Sequence, residues 1–517
     1  MLNKIYSATL QGLKALPITI ETDVYEGNAQ PRFVIVGLPD NAVKESQERI
    51  NAAIRHNGYR LPHKSVVVNL APADIKKEGS GFDLPIAIGL LIAHGKLEAA
   101  AADNIMFVGE LGLDGRILPV RGALPIAIKA REMEVSALFV PKANVREAAV
   151  VNKLPVYGVD HISQVIAFLQ GNANPEFQPT IVNTREEFYA NQSLFDYDFE
   201  EVKGQENVKR AFEVAAAGGH NIILIGSPGC GKSMMAKRLP SILPPLSLSE
   251  SLETTQIHSV AGKLGKDVSL ISQRPFRAPH HTISDVALVG GGTTFSPGEI
   301  CLSHNGVLFL DELPEYSRSV LETLRQPLED REITISRARY NLTLPCSFMM
   351  VASMNPCPCG YNHHPTHACT CTPTQIVRYM SKISGPLLDR IDIQVEAIPM
   401  DVEELTRAEK GEPSAAIRER VIKAREIQTQ RFKDHKGVHC NAQMTSALMQ
   451  QYAPLDEECT EVLRQAMKRL DLSARAYDRI IKVARTIADL DGSADIKRKH
   501  IGEAVGYRSM DRANWFE

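Results

Sequence analysis

The chain has 517 residues, with 58 Lys and Arg against 61 Asp and Glu, for a formal net charge of −3. That balance excludes a uniformly basic nucleic-acid binder but leaves room for a local basic track. The length exceeds what one compact core fills, so roughly two to four domains are expected. The N-terminus shows no signal-peptide pattern, and the most apolar stretch, Leu84 to Ala93, is too short to span a bilayer. A cytoplasmic location is expected, with no membrane partner and with nine cysteines kept reduced.

From residue 1 to 171, strand-like and helix-like pieces alternate, indicating an α/β domain. Phe33 to Val36 reads as a strand followed by a Gly-Leu-Pro turn, and Ser65 to Leu70 reads as another strand. Between them, Asn41 to Asn57 reads as an amphipathic helix with Val43, Ile50 and Ile54 on one side. Asp83 to Ala93 reads as a small-residue-rich helix, buried on most sides. The segments Lys77-Glu-Gly-Ser-Gly-Phe-Asp-Leu-Pro-Ile-Ala87 and Gly109-Glu-Leu-Gly-Leu-Asp-Gly-Arg-Ile-Leu-Pro-Val120 resemble the Lon-type protease fold. The resemblance puts Gly81 at the serine position and Leu124 at the lysine position, with Ser80 one residue away. Without the Ser–Lys pair the domain lacks nucleophile and base, so it is expected to be a scaffold for assembly or partner binding.

Residues 172–201 are rich in Asn, Gln, Pro, Thr and acids without apolar periodicity, and read as a linker. Order resumes at Val202, and an ATPase core is expected over 202–400. Asn221 to Ile225 is a short apolar strand. Gly226, Ser227, Pro228, Gly229, Cys230, Gly231, Lys232 and Ser233 follow it as G-x-x-x-x-G-K-S and lead into a helix. Such a loop turns backbone N–H groups toward phosphate; Lys232 would reach the β- and γ-phosphates and Ser233 would ligate Mg²⁺. Gly306-Val-Leu-Phe-Leu-Asp-Glu312 is a buried-strand run ending in two acids. Asp311 is placed to hold the Mg²⁺ shell and Glu312 to orient or deprotonate the attacking water, so ATP with Mg²⁺ is expected as cofactor.

Between these two elements, 258–301 reads as an insertion loop with basic and aromatic groups facing a central pore. Its adjacent His280 and His281 would point to opposite faces of an extended strand, a poor geometry for joint metal ligation. After Glu312 a helix is expected over Ser319 to Glu329. The alternation from Arg331 to Leu344 then suggests a hairpin with Arg337 and Arg339 near its tip. These are either two solvated arginines or contacts to DNA phosphates. Phe348 to Asn355 is the next buried strand, and Asn355 at its end fits a polar sensor of the hydrolytic water.

Cys357, Cys359, Cys369 and Cys371 fall within one excursion, 356–372. Four thiolates in a reducing compartment suit a structural tetrahedral Zn²⁺. The C-x-C spacing is tighter than the usual C-x₂₋₄-C, a metal-free loop stays open as the alternative, and His363, His364 or His367 could replace a cysteine ligand. From 401 to 517 the chain reads as a helical lid, with Ile480, Val483, Ala484 and Ile487 at i, i+3, i+4, i+7.

The Asp198-Phe-x-x-Val-x-Gly-Gln205 entry resembles the adenine-contacting entry of AAA+ modules. Leu387-Leu-Asp-Arg390 resembles the stretch that supplies an arginine finger in relatives of the magnesium-chelatase motor subunit. By that resemblance Arg390 acts in the neighbouring subunit's site, which implies a closed ring, a hexamer. Leu472-Ser-Ala-Arg-Ala-Tyr-Asp478 is similar to the second-sensor helix of the same clade, which implies Arg475 at the γ-phosphate, with Arg479 as the competitor.

A Lon-like N-terminal domain, a chelatase-type AAA+ core with a cysteine excursion and a helical lid together resemble the YifB/ComM family. The resemblance implies a hexameric ATPase acting on single-stranded and branched DNA. In it, branch migration aids strand integration in homologous recombination during natural transformation, alongside recombination proteins. The competing reading is a protein-remodelling or metal-chelatase-type motor acting on a protein partner, and the core motifs suit both.

Overall fold

The structure, a computed structural model, describes residues 3–26, 32–62, 64–265, 267–292, 295–337, 340–362, 364–399, 410–470 and 472–508. Contacts divide it into two compact units. One comprises 1–190, 248–272 and 292–297; the other comprises 191–247, 273–291 and 298–517.

The first unit is built on a seven-stranded mixed sheet of β1 (Asn3–Gln11), β2 (Lys14–Tyr25), β3 (Phe33–Val36), β4 (Ser65–Ala71), β5 (Ile105–Phe107), β6 (Ala137–Pro141) and β7 (Val156–Val159). Its order is β3-β4-β2-β1-β5-β6-β7. β1–β2 and β2–β4 are antiparallel, and the other pairs are parallel. Apolar residues cover both faces of its centre: Ile105 and Phe107 of β5 join one core cluster, while Met106 between them joins the other. That is what the two-residue alternation of a strand demands when helices cover both sides. Helix Asp83–Ala93 buries ten of its eleven residues, from Asp83 to Ile92, in the first cluster's territory. The expected 41–57 helix is present as two pieces, Asn41–Lys44 and Ser46–His56, and Val43, Ile50 and Ile54 are buried as expected.

Two expectations are corrected here. The stretch read as a linker contains helix Thr184–Asn191, which buries Phe188. Glu187 of this helix is held by Arg146 at 2.8 Å and by the Ser269 hydroxyl at 2.7 Å. Nor does 258–301 form one insertion loop: residues 258–272 belong to the first unit, and Phe276–Arg277 is a strand of the second unit's sheet. Helix Leu248–Ala261 packs within the first unit beside helix Ala123–Glu132. There the Ser259 carbonyl accepts from the Gly122 N–H at 3.0 Å, and Leu270 joins the cluster of Met106 and Leu124.

The second unit contains a five-stranded, wholly parallel sheet. Its strands are β8 (Ile222–Ile225), β9 (Phe276–Arg277), β10 (Val307–Leu310), β11 (Met349–Met354) and β12 (Ile393–Glu396), in the order β9-β10-β11-β8-β12. β8, β10 and β11 are buried at every position, as near-continuous Ile, Val, Leu and Met runs require. A single core cluster joins this sheet to helix Glu206–Gly218 and to the C-terminal helices Ser414–Arg431, Glu457–Leu470, Ala474–Leu490 and Arg498–Gly506. Ile480, Val483, Ala484 and Ile487 all face that cluster. The expected 319–329 helix is split into Arg318–Thr323 and Arg325–Asp330. No described helix is long and apolar enough to cross a membrane.

Candidate functional site

In open parallel sheets, chemistry gathers at the carboxyl ends of the strands. Here the loops after β8, β10 and β11 meet. The chain leaves β8 at Gly226, where a side chain would strike the Ala397 carbonyl oxygen at 2.4 Å. Gly229 and Gly231 turn the loop with φ of +84° and +85°, a region open chiefly to glycine. Lys232 is buried, and its ammonium donates to the Gly226 and Ser227 carbonyls at 2.6 and 3.0 Å and to Asn355 Oδ1 at 3.3 Å. The expected phosphate-binding lysine and sensor amide, 123 residues apart, are therefore in direct contact.

The Ser233 hydroxyl donates to Asp311 Oδ2 at 2.7 Å. The Ser353 hydroxyl donates to the other oxygen of Asp311, and the Glu312 N–H donates to Asp311 Oδ1 at 3.1 Å. Glu312 adopts φ +53°, which swings it off the strand line. Its carboxylate lies 3.5 Å from His281 Nδ1. Here the expectation for the histidine pair is corrected. His280 and His281 lie at a turn rather than on a strand, their ring centroids are 4.1 Å apart, and His281 reaches the proposed base. The alternation argument does not apply because His280 and His281 open a turn closed by the Ile283 N–H on the His280 carbonyl at 3.0 Å. Ser353 was likewise invisible, since a serine inside a buried strand carries no motif.

Two features suit a magnesium nucleotide. Ser233 and Asp311 form an oxygen donor pair of the kind Mg²⁺ takes. The Ser227 hydroxyl is buried in the loop without a partner, an acceptor-seeking group that a phosphate oxygen would satisfy.

The sulfurs of Cys357, Cys359, Cys369 and Cys371 all lie within 4.8 Å of one another. Three of their separations are 3.3, 3.7 and 3.6 Å, against about 3.8 Å for sulfurs on a tetrahedral ion with Zn–S near 2.3 Å. Backbone N–H groups of Cys359, Asn362 and Cys371 donate to sulfurs of the group, as around metal-bound thiolates. The donor set fits Zn²⁺. His364 and His367 pack on Tyr361 outside the cluster, and His363 lies outside the described residues. The knuckle also touches the nucleotide loop. Gly360, at φ +84°, approaches Pro228 so closely that a Cβ would sit 2.5 Å from its Cδ.

The remaining arginines sit apart from this cluster. Arg390 is buried, bonded to Glu329 and to the Pro386 carbonyl, and its Nε has no partner. Arg475, in the first turn of helix Ala474–Leu490, is exposed and donates to Asp389 at 3.0 Å. Its competitor Arg479 is committed to the fully buried Asp392 at 2.9 Å. Asp392 also faces His220 at 3.3 Å. Against its own desolvation, Arg479 and His220 hold the Asp392 carboxyl well below the usual range, while burial pushes His220 down from its ordinary value. Arg337 ends the first strand of the hairpin Glu332–Arg337/Tyr340–Pro345 and is exposed; Arg339 lies outside the described residues.

In the first unit, Gly81 and Ser80 line a cavity of ≈ 500 Å³. The Ser80 hydroxyl bonds to the Glu110 carboxylate, and Leu124, at the lysine position of the Lon-like comparison, is buried in the apolar cluster.

Comparison with known proteins bears on all three parts of the chain. The family described as magnesium chelatase, subunit ChlI, matches residues 198–405. Subunit ChlI of Mg-chelatase matches 20–144, and the subunit ChlI C-terminal family matches 411–508. Competence protein ComM of Haemophilus influenzae is 43% identical over 98% of this chain and 97% of its own length. The uncharacterised protein YifB of Escherichia coli is 42% identical over 99% and 98%. An archaeal Lon protease of Thermococcus kodakarensis is 22% identical over 29% of this chain and 24% of its own. Set beside the parallel sheet and its phosphate loop, these likenesses make the chain a member of the YifB/ComM family of magnesium-chelatase-like AAA+ proteins, of ATPase type.

Proposed function

We propose that this protein is an ATP-driven DNA motor, a ring hexamer that migrates DNA branches and aids integration of single strands. The observation that carries the reading is the convergence of Lys232, Ser233, Asp311 and Asn355 by direct hydrogen bonds, with Glu312 adjoining them, in a chain alike over its whole length to a competence protein. ATP with Mg²⁺ supplies the phosphoanhydride to be cleaved. Lys232 contributes positive charge, Ser233 and Asp311 contribute oxygen ligands, Glu312 takes the proton of the attacking water and Asn355 orients that water. Arg390 would leave Glu329 to serve a neighbouring subunit, and Arg475, held only at the surface, is the sensor of the nucleotide state. The Arg337–Arg339 hairpin is the proposed DNA contact, the cysteine knuckle a structural Zn²⁺ site, and the Lon-like part (1–171) a scaffold for assembly.

The test is ATP turnover with and without single-stranded and branched DNA, with Lys232→Ala as the blank. Strong stimulation that falls steeply with salt supports the reading. Turnover by a hexamer that ignores every DNA tested overturns it in favour of a motor acting on a protein partner. Alanine at both Arg337 and Arg339 should remove the stimulation and leave basal turnover intact.

A further inference from the structure

Helix Ser46–His56, the loop that follows it, the start of β3 and the end of helix Asp83–Ala93 surround a cavity of ≈ 910 Å³ in the first unit. Its wall carries four cations, Arg32, Arg55, Arg60 and Lys64, all exposed, against one carboxylate, Glu48. The side chains of Arg32, Arg55 and Arg60 make no hydrogen bond or ion pair among the described residues. Among the described residues, Lys64 has only Glu26, at 3.4 Å and itself 87% exposed, a pair worth little. The contrast within one helix is informative. Arg49 is bonded through two nitrogens to both oxygens of Asp83, whereas Arg55, further along the same helix, faces the cavity unpaired. The positive field reaches His94 on the same wall, whose pKa is lowered first by burial and then by Lys64 and Lys96. Two aromatic rings, Phe33 and Tyr59, are half-buried there against the core, so they are rigid and offer a surface to the cavity.

We propose that this cavity binds a single strand of nucleic acid, with phosphates on Arg32, Arg55, Arg60 and Lys64 and bases laid on Phe33 and Tyr59. Unpaired cations beside aromatic faces are what an unstacked strand needs, and the combination is indifferent to sequence. A duplex keeps its base faces stacked inside and has nothing to give the two rings. An acidic peptide would meet the cations but leave the rings unused. The site lies in the unit that does not hold the phosphate loop, so it is independent of the motor reading.

The experiment is fluorescence anisotropy of a labelled oligothymidine, without nucleotide and across a salt series, with the full chain carrying Arg337→Ala and Arg339→Ala throughout so that the proposed hairpin contact is silent. Arg55→Gln with Arg60→Gln removes two cations whose side chains have no partner among the described residues, so the melting curve should be unchanged. Because two phosphates then have no cation to neutralise them, affinity should fall about 25-fold in about 0.1 M salt and the log–log salt slope should shrink by about 1.4. Arg131→Gln, an exposed cation at the end of helix Ala123–Glu132, should change neither. Equal affinity and slope for the double variant overturn the proposal. Displacement of the oligothymidine by polyglutamate as readily as by unlabelled strand also overturns it and assigns the cavity to an acidic protein. DNA-insensitive ATP turnover would sink the motor reading alone, and an unaltered double variant would sink this one alone.

Discussion

The loop after β8 and the stretch around Ser80 use similar materials: glycines, a hydroxyl and a carboxylate. In the second unit a lysine, a hydroxyl, an amide and a carboxylate from three strand ends meet within hydrogen-bonding distance, with Glu312 beside them. In the first, the Ser80 hydroxyl meets Glu110, but the position where the Lon-like comparison expects a lysine holds Leu124, sealed among Met106 and Ile126. A hydroxyl beside a carboxylate is ordinary surface chemistry. Each place also has a buried lysine on backbone carbonyls, Lys232 on Gly226 and Ser227 and Lys77 on Pro72; what separates them is that Lys232 also donates to Asn355 from another strand end.

Removing the cysteine knuckle should have the largest effect. Metal analysis should find one zinc per chain, and Cys369→Ser with Cys371→Ser should lose it. Structural zinc sites contribute on the order of 10 kcal/mol to local folding, so 356–372 should become protease-sensitive and nucleotide affinity should drop as Gly360 comes off Pro228. Zinc far below one per chain would reject the site.

Asp392→Asn leaves Arg479 without its buried partner and should cost about 3–5 kcal/mol at neutral pH, read by denaturant melts. The linkage has a definite sign. Asp392 and His220 both have folded pKa values below their ordinary ones, so their stabilisation is complete above the ordinary histidine value of 6.5. It is lost as pH falls, first through histidine and then through the carboxylate. A melting temperature that rises on acidification from pH 7 would contradict this.

At the nucleotide site, Glu312→Gln should lower kcat by about 10²–10⁴-fold while leaving nucleotide binding in place. Ser80→Ala should leave ATP turnover unchanged, and any large loss there would erase the distinction between the two regions. Among the nucleotide-site variants, the smallest effect belongs to His281→Ala. Glu312 is 57% exposed, so breaking that pair should alter turnover by no more than about threefold. A loss as deep as that of Glu312→Gln would make His281 part of the proton path.

Features that lie close together along the chain were legible without coordinates. The G-x-x-x-x-G-K-S loop, the acids ending Val307–Leu310, the amide ending Met349–Met354 and the four cysteines each declare themselves within a few residues. Local backbone geometry and side-chain period are encoded at that range, and strand ends in a parallel sheet gather on one edge. Pairings between distant segments were decided only by the packed chain. These are His281 on Glu312, Arg390 on Glu329, helix Leu248–Ala261 within the first unit, and the arginines gathered from the residue before β3, helix Ser46–His56 and its following loop. No period or spacing carries such contacts. They depend on which surfaces meet when the apolar clusters close, and burial then determines which charges find partners and which are left facing a cavity.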